Sequence, residues 1–150
     1  MVSYPTPAEP VQRLPQGLRI LVVDDDPDGR IALGMLLAQA GVDVALAASV
    51  REARRSIERR EPDAVLSDLM MPDEDGFALI ETLRARESEK GRHIPALAIS
   101  ALSDPEIQRR AAEEGFDAYF VKPCDFHEVF GTLARLANSG SRVRGASRVG

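Results

Sequence analysis

Four short stretches of the chain place reactive side chains directly after apolar runs. The run 20–23 is followed by Asp24-Asp25-Asp26, and the run 64–66 by Ser67 and Asp68. The run 96–99 is followed by Ser100, and the run 118–121 by Lys122-Pro123. Three or more carboxylates brought together repel, and one takes a proton unless a cation is supplied. A hard, oxygen-seeking divalent ion such as Mg²⁺ meets that need through one or two carboxylates plus water and phosphate oxygens. Lys122 adds a fixed positive charge, and Ser100 adds a hydroxyl able to bond an oxyanion. Acids, metal, ammonium and hydroxyl around one point suit phosphoryl transfer to a carboxylate. Asp68 stands alone and reads as the nucleophile. The Asp24-Asp25 pair is better suited to holding the ion.

These residues meet only if the chain folds so that the ends of the apolar runs share an edge. The sequence from 17 to 138 alternates short apolar or β-branched runs with longer segments of helical period. A fifth run, 42–46, ends in Leu46-Ala47-Ala48 and offers nothing reactive. Helices are predicted over about 28–40, from Ser49 to before Pro62, over 77–86, from near Ser103-Asp104-Pro105-Glu106, and over 125–137. Ile31, Met35, Leu36 and Gln39 set the period of the first, which stops at Gly41. Ser49 and Glu52 form a capping box, and Asp104-Pro105 a cap with proline at the first helical position. Five strands alternating with five helices imply an α/β fold with a parallel sheet covered on both faces. Chemistry in such folds sits beyond the carboxyl ends of the strands. An outlying second strand, as in the order 2-1-3-4-5, explains why its end is unreactive.

At 150 residues the chain suits one domain. With 44% hydrophobic and 29% charged residues it has an ordinary globular balance. The single Cys124 excludes a disulfide framework and a cysteine-rich zinc site. No apolar run approaches bilayer length and residues 1–10 do not read as a secretory signal, so no membrane partner and a cytoplasmic location are expected. Residues 1–16, with four prolines, and 139–150, rich in Ser, Gly and Arg, read as flexible tails. Setting aside the three tail arginines and the balancing Glu9 and Arg13 changes the formal charge from −5 to −8 for residues 17–138. That balance argues against nucleic acid as the main partner.

Residues 17–138 resemble a response-regulator receiver domain of two-component signalling, chemotaxis-regulator-like, with a flavodoxin-like (βα)5 fold. The resemblance rests on Leu21-Val22-Val23-Asp24-Asp25-Asp26-Pro27, on Leu66-Ser67-Asp68-Leu69-Met70-Met71-Pro72 with Asp75-Gly76, on Ile99-Ser100-Ala101, and on Tyr119-Phe120-Val121-Lys122-Pro123. It implies that Asp68 is the phosphoacceptor and that Asp25 is a direct Mg²⁺ ligand. Asp24 would reach the metal through water, and the backbone carbonyl of Met70 would complete the protein ligands. Ser100 would move to bind the phosphoryl group, Lys122 would bridge to it, and the Tyr119 ring would swing between exposed and buried positions. Lys122-Pro123 would be a cis peptide.

The resemblance further implies a phosphoprotein switch that catalyses only its own phosphorylation and dephosphorylation. A histidine kinase or histidine phosphotransfer protein would be the donor. The chain leaves no room for a DNA-binding domain, so the output is expected to be a downstream protein partner or another link in a phosphorelay. A homodimer is compatible with this. Met70 and Leu102, each two residues beyond a reactive group, are apolar and would shield the phosphoryl group, which implies slow self-dephosphorylation.

Other readings were weighed. Asp24-x-Asp26-x-Asp28-Gly29 mimics a calcium-loop start, but Met35 stands where a bidentate Glu is required. A phosphatase of the haloacid-dehalogenase type would use Asp24 and Asp26. It fits poorly, because Asp28 replaces a small residue and no late acidic pair follows a strand. A receiver-shaped binding module that is never phosphorylated is the third reading, and the intact acid set, Ser100 and Lys122 argue against it. Cys124 reads as a small apolar group, His93 as loop, His127 as surface, and the arginines between 51 and 60 as a solvated helix face.

Overall fold

The structure is a computed structural model that describes residues 14–144, with side chains as far as 137. Ten elements alternate: β1 (Arg19–Val23), α1 (Pro27–Gln39), β2 (Asp43–Ala47), α2 (Val50–Arg59), β3 (Ala64–Ser67), α3 (Gly76–Lys90), β4 (Ala96–Ser100), α4 (Pro105–Glu114), β5 (Ala118–Val121) and α5 (Phe126–Arg144). The strands form one sheet, all parallel, in the order β2-β1-β3-β4-β5. This is the flavodoxin-like arrangement expected from the unreactive end of β2.

Alternation along each strand feeds two cores. Leu21 and Val23 of β1, Val65 of β3 and Ala96 and Ala98 of β4 pack with α2 and α3 residues such as Ile57, Leu79 and Leu83. Ile20 and Val22, Ala64 and Leu66, and Leu97 and Ile99 face the opposite way, onto Leu33 and Leu37 of α1 and Val129, Phe130 and Leu133 of α5. A strand buried on both faces must be apolar at every position, which is why the central runs lack polar alternation.

The helix starts use the predicted residues. Asp26 accepts from the Gly29 N–H at 3.1 Å, with Pro27 in the first turn. Ser49 accepts from the Glu52 N–H at 3.1 Å, while Glu52 reaches back to the Ala48 N–H at 2.8 Å, one residue earlier than a standard capping box. Asp104 accepts from Glu106 at 2.8 Å. Gly41 takes φ 95°, the left-handed backbone that ends α1 and that a side chain would resist.

Three expectations change. In α1, Ile31 and Met35 are exposed (50% and 62%), whereas Leu33, Gly34 and Leu37 are buried. Residues 31–38 are all uncharged and mostly apolar, so two overlapping rows satisfy a three-four spacing. The row nearer the sheet wins, and bare Gly34 lets Leu46 approach to within 3.0 Å of where a Cβ would lie. Second, the first tail does not extend to residue 16. Leu14 is buried and its N–H donates to the Ala40 carbonyl at 3.1 Å, because this apolar side chain closes the foot of α1. Third, α5 continues past 138 to Arg144, since helical backbone carries through a segment whose Ser and Gly content suggested a stop. Residues 1–13 and 145–150 of the expected tails lie outside the described residues.

The α1 register is open to test by denaturant unfolding. Met35→Lys should change stability by no more than about 0.5 kcal/mol. Leu37→Ala should cost about 2–5 kcal/mol. Comparable losses from both would refute the observed face.

Candidate functional site

The hydrogen-bond ladder of the sheet runs one residue past its strands and sets the reactive side chains at a common edge. The Asp24 N–H donates to the Ala47 carbonyl at 3.1 Å, Asp68 to Val23 at 2.9 Å, and Lys122 to Ser100 at 2.8 Å. Carboxylate oxygens of Asp24, Asp25 and Asp68 lie within 4.8 Å of one another. Lys122 Nζ stands between two of them, 3.2 Å from Asp68 Oδ2 and 3.4 Å from Asp24 Oδ2. Their other oxygens accept backbone N–H groups: Asp24 Oδ1 from Asp26 at 3.0 Å and Asp68 Oδ1 from Met70 at 3.2 Å. Asp24 is buried, Asp68 half-buried and Asp25 exposed.

Three carboxylates face one ammonium, and the ionisation of the group follows. Burial pushes the Asp68 carboxyl up. The Lys122 charge and the Met70 N–H oppose that and Asp24 adds to it, so the carboxyl ends above its ordinary value. Burial pulls Lys122 down, but Asp68 and Asp24 outweigh it and hold the amine above its ordinary value. A lone ion pair would lower its acid. Here burial, with a smaller addition from Asp24, outweighs the partner and raises the acid. The donor set, three hard oxygen acids of which one is solvent-facing, fits a divalent ion such as Mg²⁺.

The remaining predicted residues sit around this centre. Ser100 is fully buried at the end of β4, where its hydroxyl accepts the Leu102 N–H at 3.1 Å rather than bonding an acid. The Tyr119 hydroxyl donates to the Leu102 carbonyl at 2.8 Å, and its ring packs partly buried against the α2–α3 core. Both groups therefore pin the same residue. The Met70 side chain is 60% exposed beside the acids. Lys122-Pro123 is cis. Cys124 is half-buried in a largely apolar cleft of about 290 Å³ between α1 and α5, where burial pushes its thiol up and keeps it protonated. His127 donates its N–H to Asp125 at the start of α5.

Two supports were not recognised from sequence. Arg30 donates to the Asp24 carbonyl at 2.8 Å and steadies the first acid loop. Its only sequence signal was its place one turn into α1. Gly76 lies directly behind Asp68. A Cβ there would meet the Asp68 carbonyl oxygen at 2.6 Å and the Leu69 side chain at 2.9 Å. The Asp75-Gly76 pair was visible as a motif, but only coordinates show that it is packing, not a turn, that demands glycine.

A family model described as the response regulator receiver domain matches residues 20–134. The chain belongs to this family. It is 43% identical over 106 residues to an uncharacterized 14.6 kDa protein in the sodA1 3′ region of Leptolyngbya boryana, covering 71% of this chain and 79% of that one. It is 37% identical over 117 residues to a gliding motility regulatory protein of Myxococcus xanthus, covering 77% of this chain but only 15% of that longer protein. The chain likewise spans about half of the transcriptional regulators it matches. The receiver domain of the Francisella response regulator 1452 superposes with a TM-score of 0.75 at 27% identity, covering 82% of this chain and 98% of that one. The chemotaxis protein CheY4 of Vibrio cholerae gives 0.72 at 28% identity, covering 79% and 98%. Among the described residues no helix is long and apolar enough to cross a membrane.

Replacing Gly76 by Ala should destabilise the receiver by about 1–3 kcal/mol through overpacking and displace Asp68. Denaturant unfolding and the backbone amide shifts of Asp68 and Met70 check this. Unchanged stability and shifts would contradict it.

Proposed function

We propose that this receiver is a phosphorylation switch whose acceptor is Asp68, charged by a phosphohistidine on a histidine kinase or histidine phosphotransfer protein. The observation that carries the reading is the placement of Lys122 Nζ between the Asp68 and Asp24 carboxylates, with Asp25 in the same cluster. An oxygen of Asp68 attacks phosphorus. The new O–P bond forms as the donor's P–N bond breaks, and that bond's electron pair returns to the imidazole nitrogen. Asp24 and Asp25, with Asp68 and the Met70 carbonyl, would hold Mg²⁺. When bound, the ion neutralises charge on the equatorial phosphoryl oxygens.

The chain's own groups then supply the rest. Lys122 keeps its proton and turns from the carboxylate pair to a phosphoryl oxygen. The buried Ser100 hydroxyl exchanges the Leu102 N–H for another phosphoryl oxygen. Leu102 loses that hold, which loosens the carbonyl that Tyr119 bonds. Local charge is thus converted into a change of the α4–β5 surface, a two-state shift that alters affinity for a downstream protein. On this reading the chain is a response-regulator receiver acting within a phosphorelay, and it turns over no other substrate.

Incubation with Mg²⁺ and acetyl phosphate, read by intact mass, tests this. Wild type should gain one phosphoryl group, Asp68→Ala should gain none, and Lys122→Ala should label far more slowly. Equal labelling of Asp68→Ala would overturn the assignment.

A further inference from the structure

At the opposite end of the sheet, His93 bridges two acids from different elements. Its Nδ1 lies 3.0 Å from Glu87 Oε1 on α3, and its Nε2 lies 3.1 Å from Asp117 Oδ1 in the turn between α4 and β5. A carboxylate offers only acceptors, so both ring nitrogens must donate for both contacts to be made. A neutral imidazole carries one N–H and can satisfy only one of them. Arg84 is the other charged group facing the ring, 3.4 Å from Nδ1. It shares both acids with the ring, donating to Glu87 Oε2 at 2.5 Å and to Asp117 Oδ2 at 3.1 Å, and it also donates to the Gly115 carbonyl at 3.1 and 2.8 Å and to the Ile94 carbonyl at 2.9 Å.

Asp117 in turn accepts the Ala96 N–H at 2.8 Å at the start of β4. One histidine thus closes a ring of contacts joining the end of α3, the start of β4, and the turn that leads into β5 and Tyr119. This ring lies at the far end of the strands from the acid cluster and is independent of the phosphoryl chemistry.

We infer that His93 is a pH-sensitive latch: its imidazolium adds to the permanent Arg84 fastening of the α4–β5 turn to α3, and loss of its proton loosens that fastening. The electrostatics agree with the geometry. Bonding to Asp117 raises the imidazole above its ordinary value, and Glu87 adds to this against burial and Arg84. Burial pushes Asp117 and Glu87 up, but His93 and Arg84, with the Ala96 and Ile94 N–H groups, hold both below their ordinary values. A raised histidine value means that the latch contributes fully below the unfolded histidine pKa of about 6.5. The contribution fades as pH rises through the folded value.

Amide hydrogen exchange on the full chain tests the latch, with rates corrected for intrinsic pH dependence. In wild type, protection of residues 115–119 should fall as pH rises through the histidine titration, by up to about tenfold per pH unit, the slope of one linked proton. His93→Gln should show lower protection at acid pH and no step. His93→Arg, which stays charged, should keep high protection throughout. A wild-type profile matching His93→Gln, or a step persisting in His93→Arg, would overturn the inference. So would imidazole nitrogen shifts showing a neutral ring at about pH 6 in wild type, a reading that does not depend on how well either variant folds.

Discussion

Three acids at one sheet edge answered by one amine is the constraint on which the rest depends. Left to themselves, Asp24, Asp25 and Asp68 would repel one another, or one of them would take a proton. The fold holds them by a parallel ladder that extends past the strands, by backbone N–H groups on one oxygen each of Asp24 and Asp68, and by Lys122 on the other. The arrangement leaves a deficit of positive charge and an exposed acid, Asp25. A divalent cation answers such a set of oxygen donors.

The two ends of the sheet divide the work. At the carboxyl end, acids outnumber their partner and polar groups hold provisional bonds, with Ser100 and Tyr119 both resting on Leu102. At the amino end, each acid has an arginine partner: Arg92 pairs with Glu61 and Asp63, Arg86 with Glu61, and Arg84 with Glu87 and Asp117. The opposite rim anchors the loops through these ion pairs. His93 is the histidine of that rim, held above its ordinary value by Asp117 and Glu87.

Most of the fold was legible in the sequence because its signals were local. Ser49, Asp104-Pro105 and Gly41 announce helix ends, and five apolar runs announce strands. The acid set was legible because each member follows a strand, so a parallel sheet alone brings Asp24, Asp68, Ser100 and Lys122 to one edge. What could not be read depends on tertiary choices. Ile31 and Leu33 are equally apolar, and only the close approach of Gly34 to Leu46 decides which one faces inward. His93 lies before Ile94-Pro95 and looks like loop, since its partners Glu87 and Asp117 are 6 and 24 residues away. The role of Gly76 behind Asp68 is a matter of ångströms that no spacing encodes.

Asp68 is a half-buried acid whose desolvation, with the nearby Asp24 charge, outweighs its Lys122 partner. Replacing it with the neutral isostere Asn keeps the shape and relieves the repulsion. The direct measurement is denaturant unfolding of wild type and Asp68→Asn, in EDTA and in saturating Mg²⁺. The account predicts that Asp68→Asn is at least as stable as wild type in EDTA and gains much less from Mg²⁺. A variant clearly less stable than wild type in EDTA, or one gaining as much from Mg²⁺, would contradict it.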